Sequence, residues 1–408
     1  TGQFPSRHGV LDNTSRSNLS HRLELFPGLL QSAGYRTAHV GKWHMGNDPS
    51  PRPGYDYWVS YAGHGKLINP ELYEQGETRV VNGYMTDILT QRAVRFIHDS
   101  ASQPFFLYIG HKAVHPEASQ RNDGSADLSV KREFIPAKRH QGKYKNAEVN
   151  TVERYIATQD FSPLNESLAI RHMLEKSDER WYRWINSGLS EDTIRARAEM
   201  MLSVDESLGE IVKTLQNMDL LDNTLIIFTS DNGGLDRNGG PTENAPLRSG
   251  KGYCYEGGIR VPFLARWPAK IPAGKKSDFP VSSIDLFPTI MEATGTALPK
   301  DRPIDGLSLA NHLNSGGKEN PKRETLIWHF PHYRHAPGPY SIIRKGDIKL
   351  IKFWEGIYEL YDLKNDLGEA NNLAESKPEM VKKLETELIA RLKADGAKLP
   401  INNPEFKN

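Results

Sequence analysis

Apolar runs of strand length alternate with amphipathic helical segments along most of this chain, and that alternation constrains the fold more than any other feature. YRTAHVGKW, PFFLYIGH and TLIIFTSDNGG read as extended segments, and the latter two as buried strands. YMTDILTQRAVRFIHDS and IRARAEMMLSVDESLGEIVKTLQNM carry helical periodicity. Apolar strands joined through helices form mostly parallel sheets covered on both faces. The expected fold class is therefore α/β, a mostly parallel sheet sandwiched by helices. A further helix is expected from Ser20 to Ala33, where Leu23, Phe26, Leu29 and Leu30 recur at helical spacing, Pro27 belongs in a first turn and Gly34 acts as the stop. The stretch from Pro116 to Arg180 is long and polar and reads as an insertion around a site rather than a core element. From about Arg323, ETLIWHF, YSIIRKG, IKLIKFW and IYELYDL predict a small antiparallel sheet, and a helix follows from Pro378 to Lys393. The expected organisation is a main α/β domain over residues 1–322 and an α+β subdomain over 323–408.

Composition excludes several classes of function. At 408 residues the chain can bury a large core. A net charge of +1 argues against a nucleic-acid partner, so any anion site has to be local. The mean hydropathy is −0.60 and the sequence contains no long apolar run, so no membrane-spanning helix is expected. The one cysteine, Cys254, rules out an internal disulfide.

Open α/β sheets place their sites at the carboxyl ends of strands, and four polar clusters fall there. GYRTAHVGKWHMG sets Lys42 and His44 two residues apart, on the same side of an extended segment. GHKAVHPE carries His111, Lys112 and His115; TSDNGG carries Asp231 and Asn232; PLRSGKGYCYEGGIRVP carries Lys251 between glycines. Taken singly, a loop lysine or histidine is most often just solvated. HKAVH has the spacing of a helical zinc pair, but it follows a strand and is stopped by Pro116. RSGKG lacks the first glycine and the final Ser/Thr of a phosphate loop.

Together and in this order, the clusters resemble the type I, formylglycine-dependent sulfatases of the alkaline-phosphatase-like superfamily. GYRTAHVGKWH, from Gly34 to His44, is similar to the second sulfatase signature over its whole length. SDNGG, the Lys251 loop with EGGIRVPFLARWP, and ELYDLKNDLGEANNLA follow in the family's order. QFPSR, near the start, has the outline of the family's Cys-x-Pro-Ser-Arg segment with Gln3 in the cysteine position. The family's Thr-Gly and His-Gly-Val match Thr1-Gly2 and His8-Gly9-Val10 instead, so the resemblance puts the nucleophile upstream of Thr1 and makes QFPSR a coincidence. The chain is then expected to be a fragment lacking its first strand, its nucleophile and two metal-binding aspartates, and to be inactive alone. A pseudo-enzyme with Gln3 in the nucleophile position is the alternative, and it leaves both matches unexplained.

The resemblance implies a sulfuric ester hydrolase. It assigns Lys42 and Lys251 to the sulfate, Lys251 and His115 to the leaving oxygen, and His44 to release of sulfate from the aldehyde hydrate. Asp231 and Asn232 would hold Ca²⁺ or Mg²⁺ through oxygen, together with the upstream aspartates. The aromatic GYDYWVSYAGHG and WHFPHYRH stretches suit a sulfated carbohydrate. In the second of these, His332 and Arg334 are expected to bond sugar hydroxyls or a carboxylate, against the plainer expectation of solvated histidines at a strand edge. A periplasmic or extracellular location is expected. The competing functions are a phosphodiesterase or phosphonate monoester hydrolase of the same superfamily, or a non-catalytic binder of sulfated glycans.

Overall fold

The computed structural model of the chain describes residues 1–11, 21–45, 47–120, 126–127, 133–149, 191–234, 244–332 and 338–401. A single turn at Pro5–His8 (α1) and a helix at Phe26–Ser32 (α2) precede the first strand. The second helix starts later than its periodicity suggests. Leu25 is extended, and Pro27 sits in the first turn, where its missing N–H has no helical partner to lose.

Strands Arg36–Gly41 (β1), Tyr57–Ser60 (β2), Glu71–Glu74 (β3), Glu77–Val80 (β4) and Phe105–Gly110 (β5) form one sheet in the order β4-β3-β2-β1-β5. β1 runs parallel to β2 and to β5, while β3 and β4 add an antiparallel edge. Thr37 to Gly41 are all buried, as a central strand covered on both faces requires. On one face, Val40, Val59 and Leu72 pack against Met85, Ile88 and Leu89 of the helix Met85–Asp99 (α3). On the other, Phe106 meets a cluster built from Leu30 of α2 and Phe287 and Met291 of a later helix. Two short strands, Ser119–Gln120 (β6) and Ala126–Asp127 (β7), pair antiparallel.

The long helix Glu191–Asn217 (α4) lies beside α3, and Thr90 Oγ1 donates to Ser207 Oγ at 2.7 Å between them. Ile226–Thr229 (β8) pairs antiparallel with Phe263–Arg266 (β9) in a separate two-stranded sheet. β5 and β8 are less buried than their apolar composition predicts: Tyr108 is 47 % exposed and β8 is only partly covered. Each is the last strand of its sheet among the described residues. Glu256–Ile259 (α5), Leu286–Thr294 (α6) and Ala310–Asn314 (α7) complete this part of the chain.

Leu326–Phe330 (β10), Tyr340–Lys345 (β11), Ile348–Phe353 (β12) and Ile357–Asp362 (β13) form an antiparallel meander, followed by the helix Pro378–Ala394 (α8), much as the sequence predicts. The period-2 alternation of these strands gives the sheet two apolar faces. Ile343, Leu350 and Leu360 pack under Leu384, Leu388 and Leu392 of α8. Ile342, Ile351, Phe353 and Tyr361 pack against Tyr253, Cys254 and Tyr255, the residues just after Lys251.

One expectation fails within the polar stretch after Pro116. Phe134, Ile135 and Ala137 join Leu67, Tyr84 and Met200 in a core cluster, and His140 is buried, so residues 134–137 and His140 are core rather than insertion. The charged residues around them hid this, because their polar ends pair at the rim: Arg139 binds both Asp87 and Glu206.

Candidate active site

Paired glycines set the first half of the site. Gly41 ends β1 opposite Gly110 at the end of β5, and a Cβ on Gly41 would lie 2.2 Å from the Gly110 carbonyl oxygen. Only a residue without a side chain permits that approach. It brings Lys42, whose N–H donates to Gly110 O at 2.8 Å, beside the segment carrying Lys112 and His115.

A second close approach brings in Lys251. A Cβ on Gly233 would meet Gly257 O at 1.7 Å, so the SDNGG turn and the Lys251 loop can touch only with glycine at that point. Gly233 N–H then donates to Gly258 O at 3.1 Å, and Lys251 N–H to Gly234 O at 2.8 Å. Asn244 Nδ2 braces the loop through Gly234 O and Ser249 O.

The side chains that converge are Lys42, His44, His64, Lys112, His115 and Lys251, with Asp231 near them. Burial, with Lys251 next in effect, lowers the Lys42 ammonium to about 8, and the Asp231 carboxylate offsets part of that shift. Burial above all, then the charges of Lys42, Lys112 and Lys251 with His64 alongside, holds His115 well below the usual histidine range. His115 Nδ1 lies 2.9 Å from Pro116 O, so that nitrogen carries the proton and Nε2 carries the lone pair. His44 occupies the left-handed region at φ 53°, a strained backbone of the kind that persists where surrounding structure demands it. The arrangement is an electropositive cluster whose chemistry suits a small tetrahedral oxyanion.

Asp231 and Asn232 follow β8 directly. Asp231 is exposed, and its charge is also felt at Tyr108, whose hydroxyl burial and that carboxylate together push up. Two adjacent oxygen donors fit a hard cation, and they supply only part of the six to eight oxygens that Ca²⁺ takes. No group of three or more metal-ligating side chains occurs among the described residues.

One residue of the cluster was not singled out by the sequence, and another was given no role. His64 lies in GYDYWVSYAGHG, a stretch that draws attention through its aromatics, and its only signal was a histidine between two glycines just after an apolar run. Lys112 stood in the GHKAVHPE cluster with no functional role assigned, and its plainer reading was a solvated loop lysine. It is instead 2 % exposed, with Nζ donating to His64 O at 2.7 Å and to Pro116 O at 2.9 Å. His111 is bound to Ser207 Oγ of α4 at 3.2 Å. Cys254 is buried, and burial raises its thiol well above the usual range, which makes it no nucleophile.

The WHFPHYRH stretch divides. His329 is tied to Ser341 Oγ and Lys398 O, and His332 Nε2 donates to Leu11 O at 2.7 Å with its ring edge-on to Phe330. Arg334 lies outside the described residues.

Cations gathered where parallel strands end, beside a turn that presents oxygen donors, define an alkaline-phosphatase-like hydrolase of anionic esters. The sulfatase family profile matches residues 1–296, and the chain belongs to that family, whose members hydrolyse sulfuric esters. A second profile, the C-terminal region of N-sulphoglucosamine sulphohydrolase, matches residues 249–397 and so spans both the Lys251 loop and the sheet packed on it. An N-acetylglucosamine-6-O-sulfatase of Bacteroides thetaiotaomicron is 28 % identical over 100 % of this chain and 78 % of its own length. The human N-acetylgalactosamine-6-sulfatase is 27 % identical over 78 % of this chain and 55 % of its own. A solved structure of a protein in complex with its substrate D-glucosamine-2-N,6-O-disulfate has a TM-score of 0.70 at 26 % identity, covering 99 % of this chain and 90 % of that one. A phosphonate monoester hydrolase from Silicibacter pomeroyi shares the fold at a TM-score of 0.61 and 19 % identity.

Proposed function

We propose that this sulfatase removes sulfate from a sulfated saccharide. The observation that carries the reading is the convergence of Lys42, Lys251 and His115 in one electropositive cluster. The amino-sugar sulfatases among its relatives support the substrate class.

A sulfate ester carries a negative charge that repels nucleophiles, and further charge builds on the leaving oxygen as the bond breaks. Fixed cations meet both difficulties without reorganising. Lys42 and Lys251 hold the sulfate oxygens. With no anion bound, burial and then Lys251 keep Lys42 only weakly protonated above pH 8, and the ester's negative charge offsets both. The same charge favours a proton on His115, whose Nε2 faces the leaving oxygen beside Lys251, so that either can protonate the departing sugar alcohol. His44 assists release of sulfate. A formylglycine, supplied by a segment preceding Thr1, would provide the nucleophile. Asp231 and Asn232 would hold Ca²⁺ or Mg²⁺, which would supply positive charge next to the sulfate.

His332 and Arg334 belong in this proposal as contacts to the sugar, in a C-terminal subdomain taken as 323–408 against a main domain of 1–322. No helix among the described residues is long and apolar enough to cross a membrane. Polymeric sulfated glycans are met outside the cytoplasm, and we place the enzyme in the periplasm or outside the cell. The test is sulfate release from 6-sulfated amino sugars by the full-length enzyme, with phosphate and phosphonate esters in parallel. Faster turnover of the phosphorus esters would replace this reading with the hydrolase alternative, and turnover of none with a glycan binder.

A further inference from the structure

His64 is the middle of three imidazoles. Its ring lies 4.5 Å from that of His115, nearly parallel at 14°, and 4.7 Å from that of His44, tilted by 41°. Two features hold it there. The turn around it is tight, since a Cβ on Gly65 would reach 2.5 Å from the Tyr61 ring. The buried Lys112 ammonium ties His64 O to Pro116 O, the same carbonyl that accepts from His115 Nδ1. One lysine thus fastens the backbone of one imidazole to the orienting carbonyl of the next.

His64 is poorly suited to proton transfer. Burial, together with Lys42, His44, Lys112 and Lys251, lowers it to about 2, and its Nδ1 is buried without a hydrogen-bond partner. A neutral ring with its flat face against His115 can still fix an orientation. His115 has one nitrogen committed to Pro116 O, and rotation about its side-chain bonds would break that bond and swing Nε2 away. The stacked ring blocks the rotation.

We propose that His64 is a positioning residue for the leaving-group half of the reaction, its ring holding His115 so that Nε2 addresses the leaving oxygen. The proposal rests on the sulfatase reading for the role of His115, and its consequences separate from that reading. Misplacing a proton-transfer group by about 1 Å costs on the order of 10²-fold in rate. The cost falls on substrates whose leaving group needs a proton, a sugar alcohol, and much less on 4-nitrophenyl sulfate, whose phenolate departs unaided.

The experiment uses the full-length enzyme with His64→Leu, which fills similar space without a flat face, and His64→Phe, which keeps the face without the nitrogens. Leu is expected to lower kcat on a 6-sulfated amino sugar by about 10²-fold, with KM changed much less, and on 4-nitrophenyl sulfate by about tenfold or less. Phe is expected to recover sugar turnover to within about tenfold of the parent. A readout independent of turnover is the nitrogen NMR spectrum of His115. One fixed tautomer, protonated at Nδ1, is expected in the parent and the Phe variant, and averaged signals in the Leu variant. Equal losses for Phe and Leu, equal losses on both substrates, or a His115 spectrum indifferent to the Leu substitution would each overturn the positioning role. A parent that hydrolyses no sulfate ester but shows the expected change in the His115 spectrum would leave the positioning role standing and remove the sulfatase reading.

Discussion

Lys349 Nζ lies 3.0 Å from Glu256 Oε1, joining β12 of the C-terminal sheet to the helix that closes the Lys251 loop. The same ammonium reaches Glu369 Oε1 at 2.7 Å, and Glu369 accepts from the Glu256 backbone N–H through its other oxygen. All three side chains are nearly or fully buried. Arg248, on the opposite flank of the loop, donates to Tyr361 Oη and Glu369 O and lies over the Tyr255 ring. The loop that presents Lys251 is therefore held from both sides by the C-terminal sheet.

Breaking this arrangement from one side is expected to be expensive. Lys349→Met leaves Glu369 buried without its ion-pair partner and Glu256 with only Arg344, 3.8 Å away, and should cost about 3–5 kcal/mol in urea unfolding. Adding Glu256→Gln and Glu369→Gln removes the uncompensated charges and should restore part of that loss. A single-variant cost below about 1 kcal/mol would show that the pair stabilises little.

Lys251 and Lys112 are expected to fail in different ways. Lys251→Ala removes a preorganised charge and should lower kcat/KM by about 10²-fold or more with the melting temperature nearly unchanged. Lys112→Ala removes the donor to His64 O, while Pro116 O keeps that of His115, and should cost about 1–3 kcal/mol of stability. A Lys112→Ala protein that melts with the parent would contradict the fastening role.

His39 predicts an acid sensitivity. It is wholly buried, stacked between Trp58 and Tyr108, with Nε2 bonded to Gly41 O, and burial above all lowers it from an ordinary 6.5 to about 3. Below about pH 6.5 the unfolded chain takes up a proton that the folded one refuses, so stability falls as pH drops towards 3. The slope due to this group approaches about 1.4 kcal/mol per pH unit. His39→Phe should flatten the pH dependence of unfolding between pH 6 and 4 by about that amount, and parallel curves for the two proteins would remove His39 as the cause.

His332 offers a test of substrate selection. If its ring contacts the sugar, His332→Ala lowers kcat/KM for a sulfated saccharide and leaves 4-nitrophenyl sulfate unaffected. Equal factors on both substrates, or no change on either, would assign it to the bond with Leu11 alone.

Local pattern carried much of this protein. The helices at Met85–Asp99 and Glu191–Asn217, the four-stranded meander and its closing helix follow from apolar spacing, because each buries one face against a neighbour and the period records which face. Lys42, His115 and Asp231 drew attention because each comes soon after a strand, and Lys251 because it stands between glycines in a signature-like loop. Three things were decided only by tertiary structure. The burial of Lys112 and the stacking of His64 depend on the β1 and β5 ends approaching across Gly41 and Gly110, which joins residues far apart in the chain. The core role of residues 134–137 depends on α3 and α4, which also supply partners for the neighbouring Arg139. The anchoring of the Lys251 loop depends on Lys349, whose charge would be placed on the surface by any sequence rule and is buried only because two distant carboxylates are folded around it. A sequence records the periodicity of each element's own exposure, whereas a contact between elements depends on the distance the whole fold sets.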